Sequence, residues 1–221
     1  MFSDSHILNT VLFTPLIGAL VILFIPRGRS GMHRLVANLF GVLGVLVALP
    51  LIWRYHVYAG APRFQFVTDH EWIPSIGVRY TLGLDGLSLL MVLLTVVLGA
   101  IAISSSWDSI RDREKEFYFL MLVLQTGMLG VFLSLDFVLF YVFWEAMLVP
   151  MYFLIGLWGS ERRVQAAIKF FLYTLAGAVL MLLAILATYH ARGTFDMRAI
   201  LEAPFTPDAL LMKVREVLDA G

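Results

Sequence analysis

Glu145 is the residue of this sequence whose surroundings least suit its chemistry. It stands in Phe140-Tyr-Val-Phe-Trp-Glu-Ala-Met-Leu-Val-Pro150, near the middle of a long apolar run. A charged side chain at such a place costs at least about 2.5–3.5 kcal/mol on membrane-insertion scales. Desolvation favours the neutral acid, and a nearby cation favours the carboxylate. A buried carboxyl whose cationic partner approaches and withdraws can therefore take up and release a proton. Pro150 follows five residues later and cannot donate to the carbonyl of Ala146, which weakens the helix beside the acid. The structural alternative is a protonated glutamate that bonds a neighbouring helix and does nothing else.

Lys169 is the second candidate. It falls one turn inside a later apolar run, close to Arg162 and Arg163. It reads either as a relay or counter-charge lining a polar cavity, or as a lysine snorkelling to the interface. Asp136 and Asp85 stand just before apolar runs, where a helix cap is the expected role. His6, His33, His56, His70 and His190 fall at run ends or in loops without metal-ligand spacing, so no metal site is assigned. The absence of cysteine excludes disulfides and thiolate ligands. No phosphate loop, dinucleotide fingerprint or nucleophile elbow occurs. The charges from Asp108 to Glu116 read as a solvated loop.

The elements that must carry these residues are membrane helices. Hydrophobic residues make up 60% of the 221 and charged residues 14%. A soluble domain carries roughly a quarter charged residues. The net charge is zero, so nothing points to nucleic acid. Six stretches reach the length of about 20 residues that a bilayer core requires. They run near 7–25, 35–53, 87–104, 117–134, 137–157 and 165–190, giving an all-α polytopic bundle as the expected fold. The first run lacks a basic flank and a small-residue cleavage site, so it is expected to be a retained span and not a signal peptide. Between the second and third runs, Arg63–Phe66 and Val78–Leu82 alternate around Pro74-Ser-Ile-Gly77, predicting a short β-hairpin at the membrane surface. Ser134-Leu-Asp136 is so short that spans four and five must be antiparallel neighbours.

Arg27 and Arg29, then Arg111, Arg113 and Lys115, then Arg162 and Arg163 occupy alternate loops. The positive-inside rule places these loops in the cytoplasm and the N-terminus and long loop outside. Trp53, Tyr55, Trp72, Trp107 and Trp158 stand at span ends, as interfacial aromatics do. Residues 1–190 are expected to form the membrane domain and 191–221 a polar tail. In that tail Leu210, Leu211, Val214, Val217 and Leu218 share one helical face, predicting a short amphipathic helix.

Three segments carry a resemblance. Glu71-Trp-Ile-Pro-Ser-Ile-Gly-Val-Arg-Tyr-Thr-Leu-Gly-Leu-Asp-Gly-Leu-Ser-Leu89 resembles the approach to the third helix of the antiporter-like subunits of respiratory complex I. Phe143-Trp-Glu-Ala-Met-Leu-Val-Pro-Met-Tyr-Phe-Leu-Ile-Gly-Leu-Trp-Gly159 resembles the fifth helix of the subunit M family, and Ala166-Ala-Ile-Lys-Phe-Phe-Leu-Tyr-Thr174 its sixth. The likeness extends to about residue 207. It implies a proton-pumping membrane-arm module of bacterial NADH–quinone oxidoreductase, lodged in the inner membrane among other membrane subunits. It also implies that Glu145 is the proton-path carboxylate and that Lys169 matches the sixth-helix lysine. No redox cofactor is expected on this chain, NADH and quinone being handled by partner subunits. Such subunits carry roughly fourteen helices in two inverted halves. The sequence stops short of the helix-seven lysine that pairs with the glutamate, so a truncated or split product is expected. A multisubunit Na⁺/H⁺ antiporter, a membrane-bound hydrogenase and a non-catalytic assembly piece are the alternatives.

Overall fold

A computed structural model describes residues 4–58 and 61–202. Helix α1 spans Asp4–Phe24, α2 Ser30–Ala48 and the short α3 Pro50–Arg54. Strands β1 (Gln65–Ile73) and β2 (Val78–Leu84) follow, and then α4 (Gly86–Ser105), α5 (Glu114–Leu133), α6 (Phe137–Trp158), α7 (Arg163–Arg192) and α8 (Met197–Glu202). Among the described residues, six helical stretches are long and apolar enough to cross a membrane, with α2 and α3 counting as one. The number and order agree with the sequence expectation. The amphipathic helix expected over residues 210–218 lies outside the described residues.

Helices form here because lipid supplies no hydrogen-bond partner, and a helix satisfies its own backbone. The few interior hydroxyls follow the same rule. Thr95 Oγ1 donates to the Met91 carbonyl at 2.7 Å, and Thr126 Oγ1 donates to that of Leu122 at 2.9 Å. Two aspartates start helices as expected. Asp85 accepts from the Ser88 amide at 2.7 Å, and Asp136 accepts from the amides of Val138 and Leu139 at 2.8 and 3.1 Å. Helix α7 has 30 residues. At about 1.5 Å per residue it exceeds the membrane core and must tilt or project from it.

Helix α5 is the hub and packs against α1, α2, α4 and α6, while α7 packs against α6. Close approach of α5 and α6 depends on two small residues. A side chain at Gly127 would lie 2.6 Å from Met147 Cγ, and one at Gly130 would overlap the Phe143 ring. Small residues at helix crossings replace the hydrophobic drive that lipid cannot provide.

The hairpin is antiparallel, pairing Gln65 with Leu84 through Ile73 with Val78. Its turn is closed by Gly77 in the left-handed region at φ 71°. Strand β1 begins at Gln65 and continues to Ile73, beyond the Arg63–Phe66 stretch whose alternation was legible. The hairpin does more than lie on the surface. Leu82 and Leu84 are fully buried and join Leu8, Leu12, Leu133 and Leu139 in one core cluster. The Leu135 amide donates to the Thr81 carbonyl at 2.8 Å, and the Phe137 amide donates to the Phe195 carbonyl at 3.0 Å. The hairpin, the α5–α6 turn and the segment after α7 are thus laced side by side at one end of the bundle.

An ionic cluster fastens this end. Arg79 Nε donates to Asp69 at 2.7 Å, Arg198 Nη2 to Asp69 at 2.9 Å and to Asp196 at 2.8 Å. Burial alone would raise the Asp69 carboxyl. The bonds from Arg79, Arg198 and Thr81 outweigh it and hold the group below its ordinary value. Asp136 goes the other way, pushed up by burial against the pull of three amides. The Tyr80 phenol, buried against α1 and donating to Asn9 Oδ1 at 2.6 Å, is pushed up to about 12 by burial.

Two outcomes follow from this packing. Gly130→Leu forces α6 away from α5 and lowers thermal stability in detergent by roughly 1–3 kcal/mol. A melting temperature equal to the parent would show that the crossing tolerates bulk. Asp69 has a lowered pKa in the fold, so its stabilisation is complete above its ordinary value and is lost as pH falls through the lower one. Asp69→Asn should therefore cost roughly 1 kcal/mol at neutral pH. The gap to the parent should close on acidification below the ordinary carboxylate range, as read by unfolding curves across pH.

Candidate functional site

Glu145 is the ninth residue of α6, counted from Phe137. At 1.5 Å per residue it lies about 12 Å along the helix, well inside the membrane. It is half-buried, and its Oε1 is fully enclosed without a hydrogen-bond partner among the described residues. The Tyr141 phenol, one turn earlier on the same face, interacts with the carboxyl. Such a pair at i and i+4 is a helix-surface neighbour by geometry. The spacing was present in the sequence, but an aromatic in an apolar helix carries no signal of its own. Pro150, one turn beyond, is buried inside α6.

The face bearing Glu145 meets α7. A side chain at Gly156 would lie 3.5 Å from Ala167, and the Tyr152 ring meets the Phe171 ring edge-on with centroids 5.6 Å apart. Val138 and Tyr141 of α6 and Met181 of α7 pack on the buried cluster of Val78, Ile185 and Phe195. The two helices thus run antiparallel, one turn of α6 matching one turn of α7. Interpolating between these contacts sets Glu145 level with Ala178, which is 2% exposed. Alanine at that level offers the carboxyl no charge.

Lys169 is not brought to Glu145. It is exposed on the side of α7 opposite the buried Ala167, Ala178 and Ile185. It is also nine residues from the level of Glu145, about 13 Å along the axis. Its neighbours on that outer face include the exposed Leu172, Tyr173 and Leu180. The two sequence candidates therefore occupy different surfaces. Glu145 sits within the α6–α7 seam, while Lys169 addresses whatever covers α7.

The structure also reveals buried polar groups that the sequence did not single out. Tyr118 Oη and both amide atoms of Gln125, on α5, are enclosed without partners among the described residues. Glu114 corrects the expectation of a wholly solvated loop. Helix α5 begins there, three residues before the apolar run, and the side chain is 8% exposed. Both its oxygens accept from Arg34, Nε donating at 3.0 Å. These residues are 80 apart in sequence. Nothing local in the chain announces such a pair. The bonds are charge-assisted and shared over two donors, so the acid can be carried at the membrane boundary.

Comparison with known proteins fits this geometry. The family described as NADH:quinone oxidoreductase/Mrp antiporter, TM, matches residues 134–218, a stretch that includes α6 and α7. NADH-quinone oxidoreductase subunit M of Rhodobacter capsulatus is 41% identical over 205 residues, covering 91% of this chain and 39% of that protein. The subunit M of Escherichia coli strain K12 is 43% identical over 181 residues, covering 74% and 36%. A chain of respiratory complex I from Thermus thermophilus superposes with a TM-score of 0.73 at 27% identity, covering 90% of this chain and 40% of that one. A chain of the Mrp complex from Dietzia gives 0.73 at 25%, covering 92% and 21%. The chain spans about two fifths of the length of the curated relatives it matches. With six apolar helices among the described residues, a capping hairpin and a mid-span glutamate in the matched segment, this chain is similar over most of its own length to the antiporter-like membrane subunits of NADH–quinone oxidoreductases and Mrp antiporters.

Proposed function

We propose that this chain takes part in proton translocation as a membrane-arm component of a proton-pumping NADH–quinone oxidoreductase, with Glu145 as its proton-carrying carboxyl. The carrying observation is the enclosed, unpartnered Oε1 of Glu145 inside a membrane helix. An ionised carboxylate there has a large desolvation cost that an approaching cation can offset. The acid then gains a proton when the cation withdraws and releases it when the cation returns. The resemblance implies that this cation is a lysine on the family's seventh helix. No redox group is proposed on this chain. NADH oxidation and quinone reduction belong to partner subunits, and this chain receives their energy through its helices. Lys169 is proposed as a counter-charge toward the helices that cover the outer face of α7.

The test uses the assembled complex in vesicles. Glu145→Gln should lower NADH-driven proton uptake roughly tenfold. Subunit content and electron transfer from NADH to an artificial acceptor should stay intact. Pumping at the parental rate would refute the carboxyl's role and favour a non-catalytic assembly piece. Lys169→Gln in the same assay reads the counter-charge, and a parental rate would return Lys169 to simple snorkelling. The likeness to the Mrp complex supports a second reading, a subunit of a multisubunit Na⁺/H⁺ antiporter. That reading predicts Na⁺-driven proton movement that persists without NADH.

We further propose a bacterial inner-membrane location with the N-terminus and hairpin outside and the basic loops in the cytoplasm. The chain has no cysteine, so single reporters are unambiguous. Ser75→Cys in the hairpin turn should react with an impermeant thiol reagent added to whole cells. Ser160→Cys, between α6 and α7, should react only after permeabilisation. The reverse pattern would invert the orientation.

A further inference from the structure

The opposite end of the bundle from the hairpin holds a cavity of about 470 Å³, between the α1–α2 turn and the start of α5. Its wall includes His33, which is 1% exposed with neither ring nitrogen hydrogen-bonded among the described residues. An imidazole always carries at least one N–H, and a buried donor without an acceptor is rarely tolerated. His33 therefore keeps a ring N–H without an acceptor among the described residues, at the wall of this pocket.

The charges around His33 indicate what kind of acceptor fits. The two acids in the wall are already matched, Glu114 by Arg34 and Glu116 by Arg27 at 2.9 Å. Lys115 donates to the carbonyls of Leu23 and Ile25 at 2.7 and 2.8 Å, which holds its ammonium beside the pocket. Arg111 and Arg113 are exposed and have no partner among the described residues. Helix α5 starts at this wall with no side chain capping its first amides. The N-terminus of a 20-residue helix, two guanidinium groups without a partner among the described residues and the buried imidazole of His33 border one space. That set matches an oxyanion with several acceptor oxygens.

We propose that this cavity is a binding site for a phosphate group, held by His33, Arg111, Arg113 and the first turn of α5. The site opens at the end of the membrane spans, level with Trp158, whose indole donates to the Asp112 carbonyl at 3.0 Å. A phospholipid headgroup lies at that depth, and anionic lipids concentrate beside basic loops. The headgroup is thus the favoured source of the phosphate, with inorganic phosphate as the other. Trp158 is 13 residues along α6 from Glu145, about 20 Å of helix, so the site is separate from the carboxyl, and its occupancy would tie the α1–α2 turn to α5.

The test is native mass spectrometry of the whole chain in detergent, titrated separately with phosphatidylglycerol, phosphatidylcholine and inorganic phosphate. Retention of phosphatidylglycerol over phosphatidylcholine, weakened roughly tenfold in Arg111→Gln/Arg113→Gln, establishes a lipid-filled site. Inorganic phosphate bound with the same sensitivity, in place of lipid, establishes a site filled from solution. Both arginines are exposed in a loop, so the double variant should fold. His33→Leu should lose the same retention while its melting temperature holds. Equal retention of the two lipids with no phosphate binding, or retention unchanged in the double arginine variant, would overturn the proposal.

Discussion

Within the hydrocarbon layer no water completes a hydrogen bond, and the whole structure follows from how each polar group answers that constraint. The backbone answers by coiling. Interior threonines answer by donating to the carbonyl one turn back. Glu114 answers by sharing both its oxygens with Arg34. What remains is a short set of enclosed atoms with no answer among the described residues: those of His33, Tyr118, Gln125 and one oxygen of Glu145. Groups of this kind stay in a membrane protein when they serve something other than the stability of the bundle.

Glu145 depends on elements far from it. Its helix begins at Asp136, a buried residue whose carboxylate receives the amides of Val138, Leu139 and Arg79. The turn before it is bound to β2, and the residue after it is bound to the segment following α7. Arg198 and Arg79 then close on Asp69 across the hairpin. The start of α6 is therefore fixed by strands and ion pairs outside the membrane. Gly127 and Gly130 fix its depth against α5 by contact. The hairpin serves as a clamp on the helix that carries the acid.

Much of this was legible beforehand because the bilayer imposes a simple pattern. Six apolar runs became six spans, and the termini moved by only a few residues. Asp85 and Asp136 became caps, since an aspartate before an apolar run has few other uses. The hairpin was foreseen from alternation and from Pro74-Ser-Ile-Gly77. Its central residues Val67 to Glu71 carried no clear alternation, because they pack partly on α1 and partly on charge. Glu114 was misread because a charge beside other charges looks solvated until its partner is known.

The sequence by itself determined the class of molecule, the number of spans and the intramembrane position of Glu145. Those features depend on local composition and on the fixed rise of a helix. The tertiary structure decided which face each residue presents and what it meets there. It turned Glu145 and Tyr141 into the α6–α7 seam and set Lys169 on the far side of α7. It also joined Arg34 to Glu114 and left His33 enclosed without a partner. Such encounters arise from how helices distant in sequence rotate and cross against one another, and no local pattern of residues records that rotation.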